Sequence, residues 1–133
     1  MQQVRRAAAA DAEYQRWLQS PPVGTQANDG VETGAIKAVF GERAAGIPIS
    51  ATKAMHGHLL GAAGAMECVL TLLAMQAQVA LPTMHLHAPD PECDLDYVPN
   101  RVREGVAART MISNSFAFGG ANAVLVVRAA PAA

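Results

Sequence analysis

The spacing of apolar and polar side chains predicts helices that alternate with short strands. Apolar residues at helical spacing follow a cap at Asn28 or Asp29 and predict a helix from about Asp29 to Phe40. Three short apolar runs predict strands, at Ile47–Ser50, Thr110–Ser113 and Asn122–Arg128. This order of elements favours an α/β fold in which helices pack on a mixed sheet.

A long helix is predicted from Gly57 or His58 to about Gln78, and its apolar residues lie on every side. A helix that is apolar all round is buried all round, so we expect two layers of protein to cover it. A membrane span is the alternative. The polar residues His58, Glu67 and Thr71 and the lack of closely flanking Lys or Arg disfavour it.

The N-terminal residues Met1–Ser20 predict a short amphipathic helix that ends at Pro21 and Pro22, outside the main pattern. Arg5 and Arg6 are not followed by the apolar stretch of a signal peptide, and the sequence has two cysteines. We therefore expect a reduced, cytoplasmic protein.

Composition limits the classes of function. Of the 133 residues 51% are hydrophobic, many of them alanine, and the formal net charge is −1, so the chain is predicted to form one compact domain rather than a disordered one. Ten basic residues against eleven acidic ones give no charge pattern for binding nucleic acid.

Metal and thiol chemistry are not expected. His85, His87 and Cys93 lie close in sequence, but one cysteine beside His-x-His lacks the paired spacing of zinc ligands, so an acidic surface loop is the favoured interpretation. Cys68 falls in the buried helix and Cys93 in the acidic loop, and both settings disfavour a thiolate.

Candidate chemistry lies in the strand–loop–helix transition from Pro48 to Gly64. His58, at the predicted helix start, would stay neutral and donate a hydrogen bond to developing negative charge, and Lys53 would supply an ammonium. The alternative is a capping histidine and a solvated lysine. His56 is expected at the surface, and Glu67 is expected to brace neighbouring backbone or Lys53.

A second candidate is the loop from Ser113 to Asn122. Its backbone N–H groups could face an anion, or it is a plain hairpin loop with Gly119 and Gly120 at positive φ.

Together these segments resemble the C-terminal half of the β-ketoacyl-acyl-carrier-protein synthases, of the elongating, type II kind. The blocks that carry the resemblance are Gly24–Thr33 (GTQANDGVET), Ala51–Gly64 (ATKAMHGHLLGAAG), Pro82–Thr83, Pro89–Asn100 (PDPECDLDYVPN) and Ser113–Gly120 (SNSFAFGG). The resemblance implies residues 1–22 as a non-matching segment and 23–133 as the synthase C-terminal domain. It also implies half of a thiolase-like fold, in which the helix after His58 belongs to a central layer.

The family carries out a decarboxylating Claisen condensation of an acyl thioester with malonyl-carrier protein, in fatty-acid or polyketide synthesis. By match to the motif, His58 would donate to the malonyl thioester oxygen, Lys53 would anchor the site electrostatically and Glu67 would support it. Phe118 would be the gating phenylalanine, and Phe118, Gly119 and Gly120 would form the gating and oxyanion loop. The resemblance implies an acyl-carrier protein as partner and no cofactor.

The sequence departs from the family pattern at several positions. Pro21 aligns with the family's first histidine, Ala117 and Ala121 stand where Gly and Thr are usual, and the nucleophilic cysteine belongs to the N-terminal half. The 133-residue chain alone is therefore expected to be inactive and to need an N-terminal-half partner or a dimer. The alternative is a non-catalytic remnant or interaction subunit.

Overall fold

The computed structural model describes residues 16–19, 28–88 and 90–130. Within these ranges the α-helices are α1 (Asn28–Phe40), α2 (Lys53–His56) and α3 (Ala63–Ala77). The strands are β1 (Arg16–Gln19), β2 (Ile49–Ser50), β3 (Val79–Ala80), β4 (Arg103–Glu104), β5 (Thr110–Phe116) and β6 (Asn122–Arg128). Short 3₁₀ helices cover Gly41–Gly46, Leu60–Ala62 and Phe118–Gly120.

The main sheet is mixed, as the element order predicts. Its strands lie in the order β2-β1-β5-β6, with β1 parallel to both neighbours and β6 antiparallel to β5. Leu18 of β1 is in register with Ile49 of β2 and with Ile112 of β5. The strands β3 and β4 form a separate antiparallel pair.

The helix predicted over Met1–Ser20 is wrong at Arg16–Gln19, which form the strand β1. The rest of that prediction, like Pro21 and Pro22, lies outside the described residues. β1 lies between two strands that are distant in sequence, and it pairs with both. Trp17 and Leu18 suit a strand as well as a helix, so these long-range pairings decide the structure over weak local preference.

One apolar cluster lies on each face of β5, because neighbouring residues of a strand point to opposite faces. Ile112 packs with Ile36 and Phe40 of α1 and with Ile47 and Ile49. Met111, on the other face, packs in a cluster with Ala74 of α3 and with Ala80, Val98, Val106 and Ala108. Helices therefore cover both faces of the sheet, α1 on one side and α3 on the other.

The helix α3 begins later than predicted, at Ala63 rather than near His58. Gly57 has φ 75° and Leu60 has φ 50°, and neither value is compatible with a continuous right-handed helix. The helix ends where predicted, at a left-handed Gln78.

The described residues bury only one face of α3, formed by Ala63, Glu67, Thr71 and Ala74. Val69 is 51% exposed and Leu73 56% exposed on its other side. By length and composition alone the stretch Leu60–Ala77 could cross a membrane, but core helices of soluble proteins meet the same description. The buried charge of Glu67 indicates packing against protein rather than lipid.

Candidate functional site

The candidate site forms where the chain leaves β2 and enters α3 through two short turns. Gly57 ends the single turn of α2 with φ 75° and ψ −179°, a conformation for which glycine alone is suited. A Cβ at Gly57 would meet no atom within 4 Å, so backbone conformation rather than space requires glycine here.

Lys53 and Glu67 form an ion pair between α2 and α3. The Lys53 side chain is 11% exposed and that of Glu67 only 1% exposed. A buried carboxylate is stable only with partners, so this contact agrees with the expectation that Glu67 braces Lys53. The ion pair connects α2, the first turn of the candidate site, to the second turn of α3.

His58 lies at the surface, between α2 and the 3₁₀ turn at Leu60–Ala62. Its Nδ1 accepts a hydrogen bond from the backbone N–H of Leu60 at 2.9 Å. In a neutral imidazole the proton is then on Nε2, which is free to donate. Because α3 begins at Ala63 rather than near His58, the donor role expected from a helix start would rest instead on the hydrogen bond from Leu60.

His56 is half-buried and bonded, whereas the sequence favours a surface residue. Its Nδ1 lies 2.8 Å from the carbonyl oxygen of Gly57, and its Nε2 lies 3.2 Å from Oγ1 of Thr52. Sequence reasoning missed these contacts. The one indication was the position of His56 directly before the glycine that precedes His58.

The glycine turn that follows β5 has the conformation predicted for a tight loop. Gly119 and Gly120 have φ 78° and 79°, and the backbone N–H of Ala117 donates to the carbonyl of Ala121 at 2.9 Å. The turn Phe118–Gly120 is a 3₁₀ helix with this left-handed kink.

The topology brings the two candidate segments to one edge of the sheet. β2 and β5 both run parallel to β1, and Gln19 is in register with Ser50 of β2 and Ser113 of β5. The carboxyl ends of parallel strands meet at the same edge, which is where ligand sites form in open α/β sheets. Lys53 and His58 follow one of these ends, and the Phe118–Gly120 turn follows the other.

A further buried polar contact joins α1 to β5. Asn114 Nδ2 donates to Glu32 Oε1 at 3.2 Å, and both residues are buried. Beside this contact a cleft of about 340 Å³ opens between α1 and the β5–β6 hairpin, lined mainly by apolar side chains such as Val31 and Phe116. The sequence motifs do not identify this cleft.

Ion pairs connect the acidic loop around Cys93 to α1 and to β4. Lys37 of α1 pairs with Asp94, and Arg103 pairs with Asp96. Over residues 16–19, 28–88 and 90–130, no group of three or more His, Cys, Asp or Glu side chains is arranged to hold a metal ion. The two histidine rings, His85 and His87, lie 6.4 Å apart at their centroids.

The fold belongs to the class of the thiolase-like ketosynthases, as its likeness to two solved structures shows. The chain superimposes with a TM-score of 0.83 and 41% identity on AntDE:AntF, a type II PKS acyl-carrier protein in complex with its ketosynthase bound to the hexaketide, covering 86% of this chain and 28% of that one. A β-ketoacyl synthase from Burkholderia phymatum STM815 gives 0.82 and 34%, covering 98% and 33%.

Within that class the chain belongs to the family "Beta-ketoacyl synthase, C-terminal domain", whose sequence model matches residues 1–87. This range includes residues 1–22, which the motif comparison places outside the domain. Nodulation protein E of Rhizobium leguminosarum bv. trifolii is 46% identical over 127 residues, which are 92% of this chain and 31% of the relative. 3-oxoacyl-[acyl-carrier-protein] synthase 2 of Coxiella burnetii is 47% identical over 111 residues, 84% and 27%. The chain thus spans less than a third of the length of these relatives.

Proposed function

We propose that this chain supplies the part of a 3-oxoacyl-acyl-carrier-protein synthase site that polarises the malonyl thioester, in the cytoplasm. The observation that carries the proposal is the hydrogen bond that His58 Nδ1 accepts from the Leu60 N–H. Its Nδ1 is occupied by the Leu60 N–H, so the exposed ring presents Nε2–H as a donor. An uncharged donor fixed in this way suits an oxygen on which negative charge builds up during a reaction.

The reaction needs such a donor at the decarboxylation step. When malonyl-carrier protein loses CO₂, the electron pair of the broken C–C bond becomes an enolate with its charge on the thioester oxygen. One well-placed donor to that oxygen lowers the barrier by about 3–4 kcal/mol, or a factor of about 10²–10³ in rate. The enolate carbon then attacks an acyl thioester, and the thiolate of a cysteine leaves.

Lys53, Glu67 and the glycine turn have supporting roles in the proposal. The ion pair of Lys53 with Glu67 keeps an ammonium beside the His58 turn without a net buried charge. Phe118, Gly119 and Gly120 act as the gating and oxyanion loop, through backbone N–H groups at the same sheet edge. An acyl-carrier protein delivers the substrates, a proposal supported by the similarity to a ketosynthase in complex with its carrier protein.

The exposed side of α3 supports a second part of the proposal, that another segment completes the fold. Residues of α3 buried by the described chain include the polar Glu67 and Thr71, whereas the large apolar Val69, Leu72 and Leu73 are exposed. This inverts the usual pattern of a surface helix. We infer that an N-terminal ketosynthase half covers the apolar side and brings the nucleophilic cysteine.

Complementation tests both parts. The chain is mixed with a separately expressed N-terminal portion of the Coxiella burnetii relative, and CO₂ release from malonyl-carrier protein and the 3-oxoacyl product are measured. The chain alone gives no product, and the mixture gives turnover. His58→Ala lowers the rate of the mixture about 10²–10³-fold because the donor is lost.

His87→Ala is the matched control, because His87 is also an exposed histidine but follows β3 and belongs to neither candidate segment. It leaves the rate unchanged. Turnover by the isolated chain, or equal rates for His58→Ala and the unchanged sequence in the mixture, contradicts the proposal.

The second candidate function is a non-catalytic interaction subunit, favoured by Pro21 at the position of the family's first histidine. A site with one histidine donor in place of two would decarboxylate slowly or not at all. Pro21→His separates the two functions in the same mixture. A rate that rises with this change supports a catalytic site that lacks one donor, whereas a stable complex that is inactive with and without it supports the interaction subunit.

A further inference from the structure

We propose that His56 is a positioning residue for His58, acting through a hydrogen bond to the carbonyl group of Gly57. The role of His58 in this inference rests on the proposed function. The position of His56 next to the joint, its two bonded ring nitrogens and its partial burial carry the argument.

Gly57, the joint between α2 and His58, is exposed, so buried side-chain packing does not fix its conformation. Its φ of 75° is open to glycine at little cost, and no atom lies within 4 Å of the place where its Cβ would be. Rotation about ψ of Gly57 would swing its carbonyl oxygen and the following His58 together. The direction of the His58 ring therefore depends on what holds the two polar groups of Gly57.

Hydrogen bonds hold both of those groups. The N–H of Gly57 donates to the carbonyl of Lys53 at 2.8 Å, which ties the joint to the residue of the ion pair. The carbonyl of Gly57 accepts from His56 Nδ1, also at 2.8 Å. The second bond is the one that fixes ψ, because the carbonyl moves directly with that rotation.

The far side of the His56 ring is anchored in the core. A carbonyl oxygen can only accept, so Nδ1 carries a proton; in a neutral ring Nε2 then accepts from the hydroxyl of Thr52, 3.2 Å away. Thr52 is fully buried. The ring of His56 thus links the buried side chain of Thr52 to the carbonyl of Gly57, directly before His58.

In neutral rings these contacts require opposite tautomers, with the proton on Nδ1 of His56 and on Nε2 of His58. Ring ¹⁵N NMR distinguishes protonated from unprotonated nitrogens, so this pair of tautomers is measurable on the 133-residue chain without any activity. The unchanged chain is expected to show a single, opposite tautomer at each ring. An Nε2–H tautomer or an averaged signal at His56 overturns the proposal.

His56→Leu removes both bonds of the ring, and the signals of His58 then move to a tautomeric average as the Leu60 contact loosens. His56→Asn keeps an amide donor near the place of Nδ1 and restores the single tautomer of His58. His87→Leu is the matched control and changes nothing at His58. An unchanged His58 spectrum in folded His56→Leu overturns the proposal; if circular dichroism shows that this variant is unfolded, the spectrum of His56→Asn decides.

The complemented assay separates this proposal from the proposed function. His56→Leu lowers kcat about tenfold to a hundredfold with KM unchanged, because the donor is present but misdirected, and His56→Asn recovers the rate. Opposite tautomers in an inactive mixture support the positioning role while the proposed function fails. An active mixture in which His56→Leu keeps the full rate overturns the positioning role alone.

Discussion

Removing Lys53 tests how the buried ion pair stabilises the chain. Lys53→Met keeps much of the side-chain volume but leaves the carboxylate of Glu67, which is 1% exposed, without its ammonium partner. Breaking a buried pair from one side costs about 3–5 kcal/mol, since the remaining charge keeps its desolvation penalty. At about 3–4 °C per kcal/mol for a domain of this size, Tm falls by about 10–20 °C.

Removing Glu67 instead of Lys53 is expected to cost less unfolding free energy. Glu67→Leu leaves the ammonium of Lys53, whose side chain is 11% exposed and can extend its flexible stem toward water. We expect a loss of about 1–2 kcal/mol for this variant. The double variant Lys53→Met/Glu67→Leu returns to within about 1 kcal/mol of the unchanged chain, because an apolar pair has no charge to desolvate.

Urea unfolding followed by circular dichroism gives the three differences and, from the double-mutant cycle, the coupling energy. Lys37→Met is the matched control, because Lys37 also pairs with an aspartate, Asp94, but the two side chains are 44% and 56% exposed. Its loss stays below about 1 kcal/mol. The reasoning is refuted if Lys53→Met loses as little unfolding free energy as Lys37→Met. It is also refuted if the loss in the double variant equals the sum of the losses in the two single variants.

Three further predictions follow from the loop and the exposed helix face. The hydrogen bond from Arg103 lowers the pKa of Asp96 below 3.8, so the stabilisation by this pair is present above that pH and is lost as pH falls through the folded-state pKa. The unchanged chain is therefore expected to exceed Arg103→Met in unfolding free energy by less than about 1 kcal/mol at neutral pH, and urea titrations in acid should show no difference. Burial raises the pKa of Tyr97 from 10.0 to about 12, so between these pH values the folded state keeps a proton that the unfolded state loses, and stability falls as pH rises. Urea titrations over this pH range should show that Tyr97→Phe abolishes the decline. Val69→Gln/Leu73→Gln changes the free energy of unfolding by less than about 0.5 kcal/mol but prevents co-elution with the N-terminal ketosynthase portion in size-exclusion chromatography, and unimpaired co-elution would contradict the assignment of this face.

The elements that the sequence predicts well are those whose pattern is local. α1 and β6 lie within a residue of their predicted bounds, because a cap at Asn28 and the run Asn122–Arg128 each mark their own element. The strand predicted at Thr110–Ser113 continues to Phe116, since pairing with β6 extends it beyond its apolar residues. β1 was not predictable in this way, because its partners are distant in sequence.

In the candidate site, too, the sequence predicts what is local and misses what depends on the folded backbone. The motif around His58 is the basis of its proposed donor role, but the hydrogen bond from the Leu60 N–H to its Nδ1 depends on the backbone turn at Leu59, which the motif does not specify. The contacts of His56 depend in turn on the turn at Gly57. The hydrogen bonds of His56 and His58 and the direction of the chain at Gly57 arise from backbone geometry, whereas the motif identifies only which residues are present.

The placement of Glu67 explains why α3 has its polar residues inward. Apolar periodicity would bury Val69, Leu72 and Leu73, yet the buried side of the helix is formed by Ala63, Glu67, Thr71 and Ala74. Small residues at both ends of this stripe let the helix approach β5 closely, and Glu67 reaches Lys53 from the middle of it. A helix placed by apolar burial alone would turn this carboxylate to solvent and leave Lys53 unpaired. The orientation of α3 therefore follows from the ion pair and agrees with the proposal that another segment covers its apolar side, and conflicts of this kind between local pattern and fold are expected at functional sites.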